Sequence, residues 1–326
     1  MPITAPIRFV AVVVAYNREE LLRECLDALA AQTVPLAGLV VVDNASADAS
    51  FDVASSHPVG ADVLRLTRNA GGAGGFAVGM ARAFEAHRPD WIWILDDDTI
   101  PTETALAELD AVVRADSGRP ELALVASRVV WTTGQDHPMN TPRRKPFLGK
   151  RERAAAAALG VLPVRSASFV SSLVRADAVR RSGMPIAEYF LWNDDFEFSA
   201  KLLRRRRGVF APGSVVLHKT RLLGSTDNDP GERFYLEVRN KVWLFRRSRA
   251  LAGWEKPIYV GASLLRWGRT FRRSSDRKLL RDCLRRGLRD GFRSSPRPNA
   301  TVLADAGVPA ALLARVDAMP AKRGRE

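Results

Sequence analysis

Four short apolar runs in the first hundred residues each end in polar side chains, and helical stretches separate them. The runs are 9–15 (FVAVVVA), 39–42 (LVVV), 63–66 (VLRL) and 91–95 (WIWIL). They lead into Tyr16-Asn17-Arg18, Asp43-Asn44, Thr67-Arg68-Asn69 and Asp96-Asp97-Asp98. Between them lie patterns such as 19–31, where Leu22, Cys25, Leu26 and Leu29 recur at helical spacing, and further helices are expected over 76–86 and 103–113. Strand and helix in alternation predict an α/β fold with a mainly parallel, doubly wound sheet. Such sheets place ligands beyond the carboxyl ends of their strands, where the polar residues of this chain collect.

The stretch 91–100, WIWILDDDTI, carries the densest chemistry. In an extended segment alternate side chains share a face, so Asp96 and Asp98 point one way and Asp97 the other. Two carboxylates on one side of a strand end do not both stay ionised without a cation between them. Oxygen ligands of this kind suit Mg²⁺ or Mn²⁺ arriving with a phosphate substrate. The plainer alternative is an acidic loop ahead of a helix, since Thr99-Ile100-Pro101 makes a good helix start. The metal reading is the preferred one.

The run 70–75, AGGAGG, sits between a strand and a helix, where backbone N–H groups approach a diphosphate closely. It has neither dinucleotide-fingerprint nor P-loop spacing, and a tight helix–strand packing turn explains it nearly as well. Strands are expected over 122–127, 166–174 and 208–217, and a helix over 175–182. The stretch 131–164, with Pro138, Pro142, Pro146 and the basic run Arg143-Arg144-Lys145, reads as a mobile loop over the site, with 154–159 at best a short helix.

A second acidic cluster follows in 189–197, YFLWNDDFE. Asn193 reads as an N-cap, with Asp194, Asp195 and Glu197 in the first helical turn. The helix dipole alone favours acids there, but Phe190, Trp192 and Phe196 surround them, and such surroundings raise a carboxylate's pKa toward that of a useful base. His218 alone among four histidines ends an apolar run. On that ground by itself it reads as a structural histidine.

Charge is lopsided. The net charge is +14, yet residues 201–297 hold 26 Lys/Arg against 8 Asp/Glu. Residues 234–245, 256–273 and 277–293 form basic helices with Trp, Phe and Leu at helical spacing. They are suited either to an anionic membrane surface or to packing on the body with a solvated basic face. Two distant cysteines imply no disulfide framework and no zinc site. No cationic region precedes the first apolar run, and no stretch approaches the roughly 18 apolar residues of a spanning helix. The expectation is a cytoplasmic protein, peripheral on the inner face of the cell membrane.

Taken together, VVVAYNR, VVDNASAD, RNAGGAGGF, WILDDD, WNDDFEF and LHKT resemble an inverting glycosyltransferase of family 2 with the GT-A fold, over about residues 9–218. Within it the chain looks most like actinobacterial galactofuranosyltransferases of cell-wall synthesis, with related rhamnosyltransferases sharing much of the pattern. The resemblance implies a catalytic domain over 1–230, made of a nucleotide-sugar half (7–118) and an acceptor half (119–230). A basic amphipathic helical region (231–295) and a loosely ordered tail (296–326) would follow.

By the same resemblance, Arg18 and Asp43 would hold the uracil and ribose, Asn69, Gly71 and Gly72 would line the sugar diphosphate, and Asp96 would face the nucleotide. Asp98 and His218, with Asp96, would hold Mn²⁺ or Mg²⁺. Asp195 would be the general base, and Trp192 and Asp194 would meet the acceptor. Asn193 stands where galactan-polymerising relatives have the tryptophan of a Trp-Asp-Asp motif, with Trp192 one place earlier. The implied activity moves a sugar from a nucleoside-diphosphate sugar, UDP-galactofuranose first and dTDP-rhamnose second, to a glycan or polyprenyl-linked acceptor.

Two rivals are weighed against this. A nucleotidyltransferase would not need the late Asp-Asp in a base role. A nucleic-acid-binding protein would account for the pI near 10.6, but no recognisable reader motif accompanies the arginines.

Overall fold

The computed structural model describes residues 6–116, 120–223 and 229–317. The first half reads β1 (Phe9–Ala15), α1 (Glu19–Ala30), β2 (Gly38–Asp43), α2 (Ser50–Ser56), β3 (Asp62–Arg65), α3 (Gly71–Arg82), β4 (Trp91–Asp96), β5 (Thr99–Pro101) and α4 (Ala105–Ala115). Then come β6 (Leu122–Val130), β7 (Arg143–Arg144), α5 (Lys150–Ala158), β8 (Leu162–Ser166), β9 (Ser171–Arg175), α6 (Ala176–Ser182), α7 (Asp194–Leu202) and β10 (Arg207–His218). Helices close the chain: α8 (Phe234–Arg246), α9 (Glu255–Arg273), α10 (Arg277–Arg293), α11 (Asn299–Leu303) and α12 (Ala310–Val316).

One sheet runs β3-β2-β1-β4-β9-β6-β10-β8-β7, with β5 paired to β10. β3, β2, β1, β4, β6 and β10 point the same way, while β9 is inserted antiparallel between β4 and β6. The alternation of β1 explains the two layers. Val10, Val12 and Val14 face α3, α6, α7, α11 and α12, whereas Phe9, Ala11 and Val13 face α1, α2 and α4. All seven β1 residues are buried, and full burial of such side chains contributes roughly 1.5–3 kcal/mol each.

Four expectations change. Residues 99–101 form a short strand instead of opening a helix, because Thr99 and Ile100 pair antiparallel with His218 and Leu217. The helix after the glycine run begins at Gly71, so most of the glycines are helical despite their poor propensity. Packing is the reason: a Cβ on Gly75 would come within 2.7 Å of Val14 Cγ1. The expected strand over 166–174 divides into β8 and β9. The loop over 131–164 contains β7, paired with β8, and a nine-residue helix, α5.

The tail is also different from expectation through Asp317. Leu303, Ala306, Val308, Leu312 and Val316 are buried in the α3-side core. The buried Asn299 accepts from Ala187 N at 2.8 Å and donates to Pro185 O at 2.8 Å and Val316 O at 3.1 Å. An apolar stripe joined to the body by a saturated asparagine is ordered structure. Residues 318–326 lie outside the described part.

The basic helices pack on the body. Phe234, Val238, Trp267, Leu280 and Cys283 form a small core joining α8, α9 and α10. Buried Arg165 on β8 makes a two-point ion pair with Glu255 at the start of α9 (2.7 and 3.0 Å) and donates to Ala200 O and Ala250 O. The outward face of α10 is arginine-rich, as a solvated face should be. α9 instead exposes Ile258, Leu264 and Leu265. No helix among the described residues is long and apolar enough to cross a membrane.

Candidate active site

Topology builds the candidate metal-ligand cluster. β4 and β10 end on the same sheet edge, and β5 folds back from β4 to pair with the last residues of β10. The register sets Thr99 opposite His218, Lys219 N donates to Asp98 O at 2.9 Å, and Asp98 lies against the His218 ring. Ligand atoms of Asp96, Asp98 and His218 all lie within 4.8 Å of one another. The expected trio is therefore assembled, from residues more than a hundred positions apart.

The hydrogen bonds around His218 favour a cation. Asn140 Nδ2 donates to Ser168 Oγ at 3.2 Å, which turns its Oδ1 toward His218 Nδ1 at 2.9 Å. Nδ1 therefore carries the proton, and the Nε2 lone pair faces Asp98 Oδ1 at 3.1 Å. That buried oxygen has no hydrogen-bond donor. Two lone pairs facing each other require a proton or a metal between them, and a ring fixed through its other nitrogen is the usual support for a metal-binding histidine. Burial and the Asp98 charge push Asp96 up to about 7. Burial also acts on Asp98, but Arg18 and, when a proton bridges the pair, the charged His218 ring outweigh it and hold that carboxyl below the usual range.

The expected donor residues divide. Arg18 reaches Asp98 Oδ2 (2.5 Å) and Asp97 Oδ1 (3.0 Å) rather than Asp43. Asp97, whose Oδ2 accepts from Tyr16 N at 2.8 Å, thus ties the ends of β1 and β4 together. Asp43 is fully buried at the end of β2, accepts from Ser46 N, and has Arg65 Nε 3.4 Å from its second oxygen. Asn69 Oδ1 accepts from Gly71 N at 2.7 Å, so it shapes the start of α3. Gly71 has φ +72°, and a Cβ there would meet Phe190 O at 2.1 Å. Gly72 is open toward Asp194, whose Oδ2 lies 3.8 Å from where its Cβ would be.

Across the cavity stands the second acidic pair. Phe190, Trp192 and Asn193 all have positive φ, between 62° and 65°, and strain of this kind persists only where the surroundings hold it. α8 holds it here. The fully buried Asn240 amide lies 2.9–3.0 Å from the carbonyls of Tyr189, Leu191 and Trp192. Arg239 donates to Glu188 O at 2.6 Å. Asn193 is not the side-chain cap expected of it: its backbone is left-handed and its amide donates to Glu237 Oε2 at 2.7 Å.

One cavity of about 370 Å³ is lined by Gly72, Asp96, His218, Trp192, Asp194 and Asp195, among others. Burial, then Asp195, pushes Asp194 well above the usual carboxylate range. Burial also raises Asp195, but the Phe196 N–H (2.6 Å), Arg143 and Lys241 draw it back. Sequence reasoning missed Asn140, Glu237, Lys241, Arg266 and Trp267. It met Arg143 only as part of a basic loop, and α8 and α9 only as basic helices for a membrane surface or for packing on the body, not as walls of the site.

A sheet edge with an Asp-x-Asp and a distant histidine, facing an acid pair on a separate helix, defines a glycosyltransferase of the GT-A class. Solved structures share this fold. S. aureus TarS 1–349 in complex with UDP-GlcNAc superposes with a TM-score of 0.59 at 16% identity, over 96% of this chain and 88% of that one. Mannosyltransferase PcManGT from Pyrobaculum calidifontis, in complex with GDP-Man and Mn²⁺, gives 0.53 at 19% identity, over 92% and 79%.

The chain belongs to glycosyltransferase family 2, whose model, Glycosyl transferase family 2, matches residues 10–162. It is 33% identical over 251 residues to galactofuranosyltransferase GlfT1 of Mycobacterium tuberculosis, covering 72% of this chain and 81% of that protein. It is 34% identical over 201 residues to GlfT1 of Mycolicibacterium smegmatis, covering 60% of this chain and 65% of that one.

Proposed function

We propose that the protein is an inverting glycosyltransferase. It moves a sugar, galactofuranose from UDP-galactofuranose in the first instance, to a hydroxyl of a lipid-linked or polysaccharide acceptor in cell-envelope glycan synthesis. The observation that carries this is one cavity lined by Asp195 on one wall and by Asp96 and His218 on the other, with Asp98 clustered against those two. The likeness to galactofuranosyltransferases supports the donor.

Asp98, His218 and Asp96 would hold Mn²⁺ or Mg²⁺, which when bound neutralises the departing nucleoside diphosphate. Asp43 and Arg65 lie at the nucleoside end of the sheet edge, and Gly72 leaves room at the start of α3 for the sugar diphosphate. Asp195 takes the acceptor hydroxyl's proton from the opposite wall, and a single displacement inverts the anomeric carbon. Trp192 and Asp194 frame the acceptor beside it. Arg18 keeps Asp98 ionised and turned toward His218.

The test is transfer by the full chain from a panel of UDP- and dTDP-sugars to a polyprenyl-diphosphate disaccharide, with Mn²⁺, Mg²⁺ or EDTA. Transfer of galactofuranose that stops in EDTA is expected. Turnover of dTDP-rhamnose alone would reassign the donor, and full activity in EDTA would remove the metal role.

The reading also places the protein at the inner face of a membrane, where a lipid-linked acceptor resides. The outward apolar stripe of α9 supports this.

A further inference from the structure

The same cavity has a third wall that the reaction does not use. Arg143 from β7, Lys241 from α8 and Arg266 from α9 all line it, together with Trp267 and Thr270. The Arg143 guanidinium and the Lys241 ammonium each lie 5.3 Å from the centre of the same Phe196 ring. Lys241 is 3% exposed. Among the described residues its ammonium forms no hydrogen bond or ion pair, and neither guanidinium forms an ion pair.

Two acids face the three cations. Glu237 is engaged already, since one oxygen accepts from Asn193 Nδ2 at 2.7 Å and the other from Trp267 Nε1 at 3.2 Å. Asp195 carries a single charge. Against these two acids the three cations leave one positive charge in excess, gathered around a buried ammonium without a hydrogen-bonding partner among the described residues. That cost calls for an anion at this wall. Burial, together with Arg266 and Arg143, draws Lys241 down to about 8, although Glu237 and Asp195 oppose this. The wall thus keeps a net positive charge after its own two acids are counted.

We propose that Arg143, Lys241 and Arg266 form an acceptor subsite for a phosphate or diphosphate ester, placed so that the acceptor's anionic group is gripped on the α8–α9 wall while its hydroxyl faces Asp195. The proposal rests on the glycosyltransferase reading and adds a demand to it: the acceptor is an anion. Two arginines supply planar, multiply donating groups that match phosphate oxygens, and the lysine supplies a buried point charge. The subsite also accounts for the packing of the basic helices on the body. They complete the cavity by closing the side that the sheet leaves open.

Arg266 is the clean probe, because Arg143 and Lys241 also act on Asp195. Arg143 and Arg266 are both exposed side chains without an ion pair among the described residues, so Arg266→Gln and the double variant with Arg143→Gln are expected to fold. In the first arm, inorganic pyrophosphate is titrated into metal-free full-length protein by calorimetry, with UDP affinity measured separately in Mn²⁺. Pyrophosphate is expected to bind the wild type and to bind the double variant at least tenfold more weakly, with UDP affinity unchanged. In the second arm, initial rates are compared for one disaccharide presented as a diphosphate-linked alkyl ester and as an uncharged alkyl glycoside. Arg266→Gln is expected to raise KM for the charged acceptor at least tenfold more than for the uncharged one.

Equal pyrophosphate binding by variant and wild type overturns the subsite. So does a fall in UDP affinity, which would assign the cations to the donor's diphosphate. Equal effects on both acceptors also overturn it. The first arm needs no turnover, so it decides the subsite even if the proposed donor is wrong.

Discussion

Asp194 and Asp195 are neighbours in sequence with different surroundings. Asp194 is buried, with Asp195 and Asp96 adding negative charge, and these push its carboxyl well up. Asp195 is raised by burial but has Arg143 and Lys241 beside it. A base has to be ionised before it accepts a proton, so Asp195 is the fitter of the two. Asp195→Asn is expected to leave UDP affinity unchanged and lower single-turnover transfer by roughly 10²–10⁴. Asp194→Asn is expected to have a milder effect, and an active Asp195→Asn beside a dead Asp194→Asn would reverse the assignment. Lys241 gives a pH dependence. Its folded value of about 8 lies below the free amine's 10.5, so burial opposes charging. The cost of that charge to stability is full below about pH 8 and fades as pH climbs toward 10.5. The charges facing it are Glu237 on α8, Asp195 on α7, Arg143 on β7 and Arg266 on α9. Pyrophosphate affinity is expected to fall as pH rises through about 8, and Lys241→Arg to flatten that fall. An unchanged slope in Lys241→Arg would remove Lys241 from the subsite. Asp96 and Asp98 stood out because they end an apolar run and Asp195 because it opens a helix, signals contained in ten residues. His218 read locally as a structural histidine and joined the site only through the family resemblance. Asn140, Glu237, Lys241 and Asn240 were not legible, because their meaning lies in partners 44 to 78 positions away or, for Lys241, on three other elements.

At the scale of elements, the alternating strands and helices were readable from periodicity, while the fate of the chain's last third was not. Periodicity shows that a helix has an apolar face, not what that face meets. The α9 sequence satisfies both a membrane and a protein surface, and Glu255 at its start settles part of the question. Its carboxylate is buried against Arg165, and Ala252 N also donates to it. Glu255→Ala would leave the Arg165 charge buried and unpaired, a loss of about 3–5 kcal/mol. The exposed Arg286–Asp282 pair on α10 is a useful contrast, since pairs of that kind contribute little. Urea unfolding is expected to show a lowered midpoint for Glu255→Ala and no measurable change for Asp282→Ala. A wild-type midpoint for Glu255→Ala would mean that α9 is not anchored through this pair. The tail was misread for a related reason. Its apolar residues are sparse and its helices short, so their order depends on the groove beside α3 and on Asn299, neither of which local sequence displays.

The excess of positive charge belongs to the molecule as a whole, and the helices that carry it do different work. α10, apart from Phe292 near its end, turns its apolar residues inward and leaves arginines in solvent, and α8 buries its apolar face as well. α9 does so on one side only. With Trp254 at its N-terminal boundary, Ile258, Gly261 and Leu265 follow at helical spacing on the outward face, and Arg269 and Arg272 continue the line. Phe147, 86% exposed, sets its ring 5.6 Å from that of Trp254 and widens the patch. An apolar stripe flanked by arginines and facing solvent suits the headgroup–acyl boundary of an anionic bilayer. Inserting Ile258 and Leu265 would contribute roughly 1.5–3 kcal/mol each if fully buried, while each arginine near the surface adds about 1 kcal/mol. The apolar contacts should therefore dominate, and removing α10 arginines should matter less. Removing all of α9 and α10 is a poor test, because it would orphan Arg165. Ile258→Asp with Leu265→Asp leaves the fold intact and is expected to lower partitioning onto phosphatidylglycerol-containing vesicles at least tenfold, with UDP affinity unchanged. Arg281, Arg285 and Arg289 changed together to Gln are expected to lower it less. If the wild type ignores such vesicles, or the α10 variant loses binding while the α9 variant keeps it, the stripe is not the anchor.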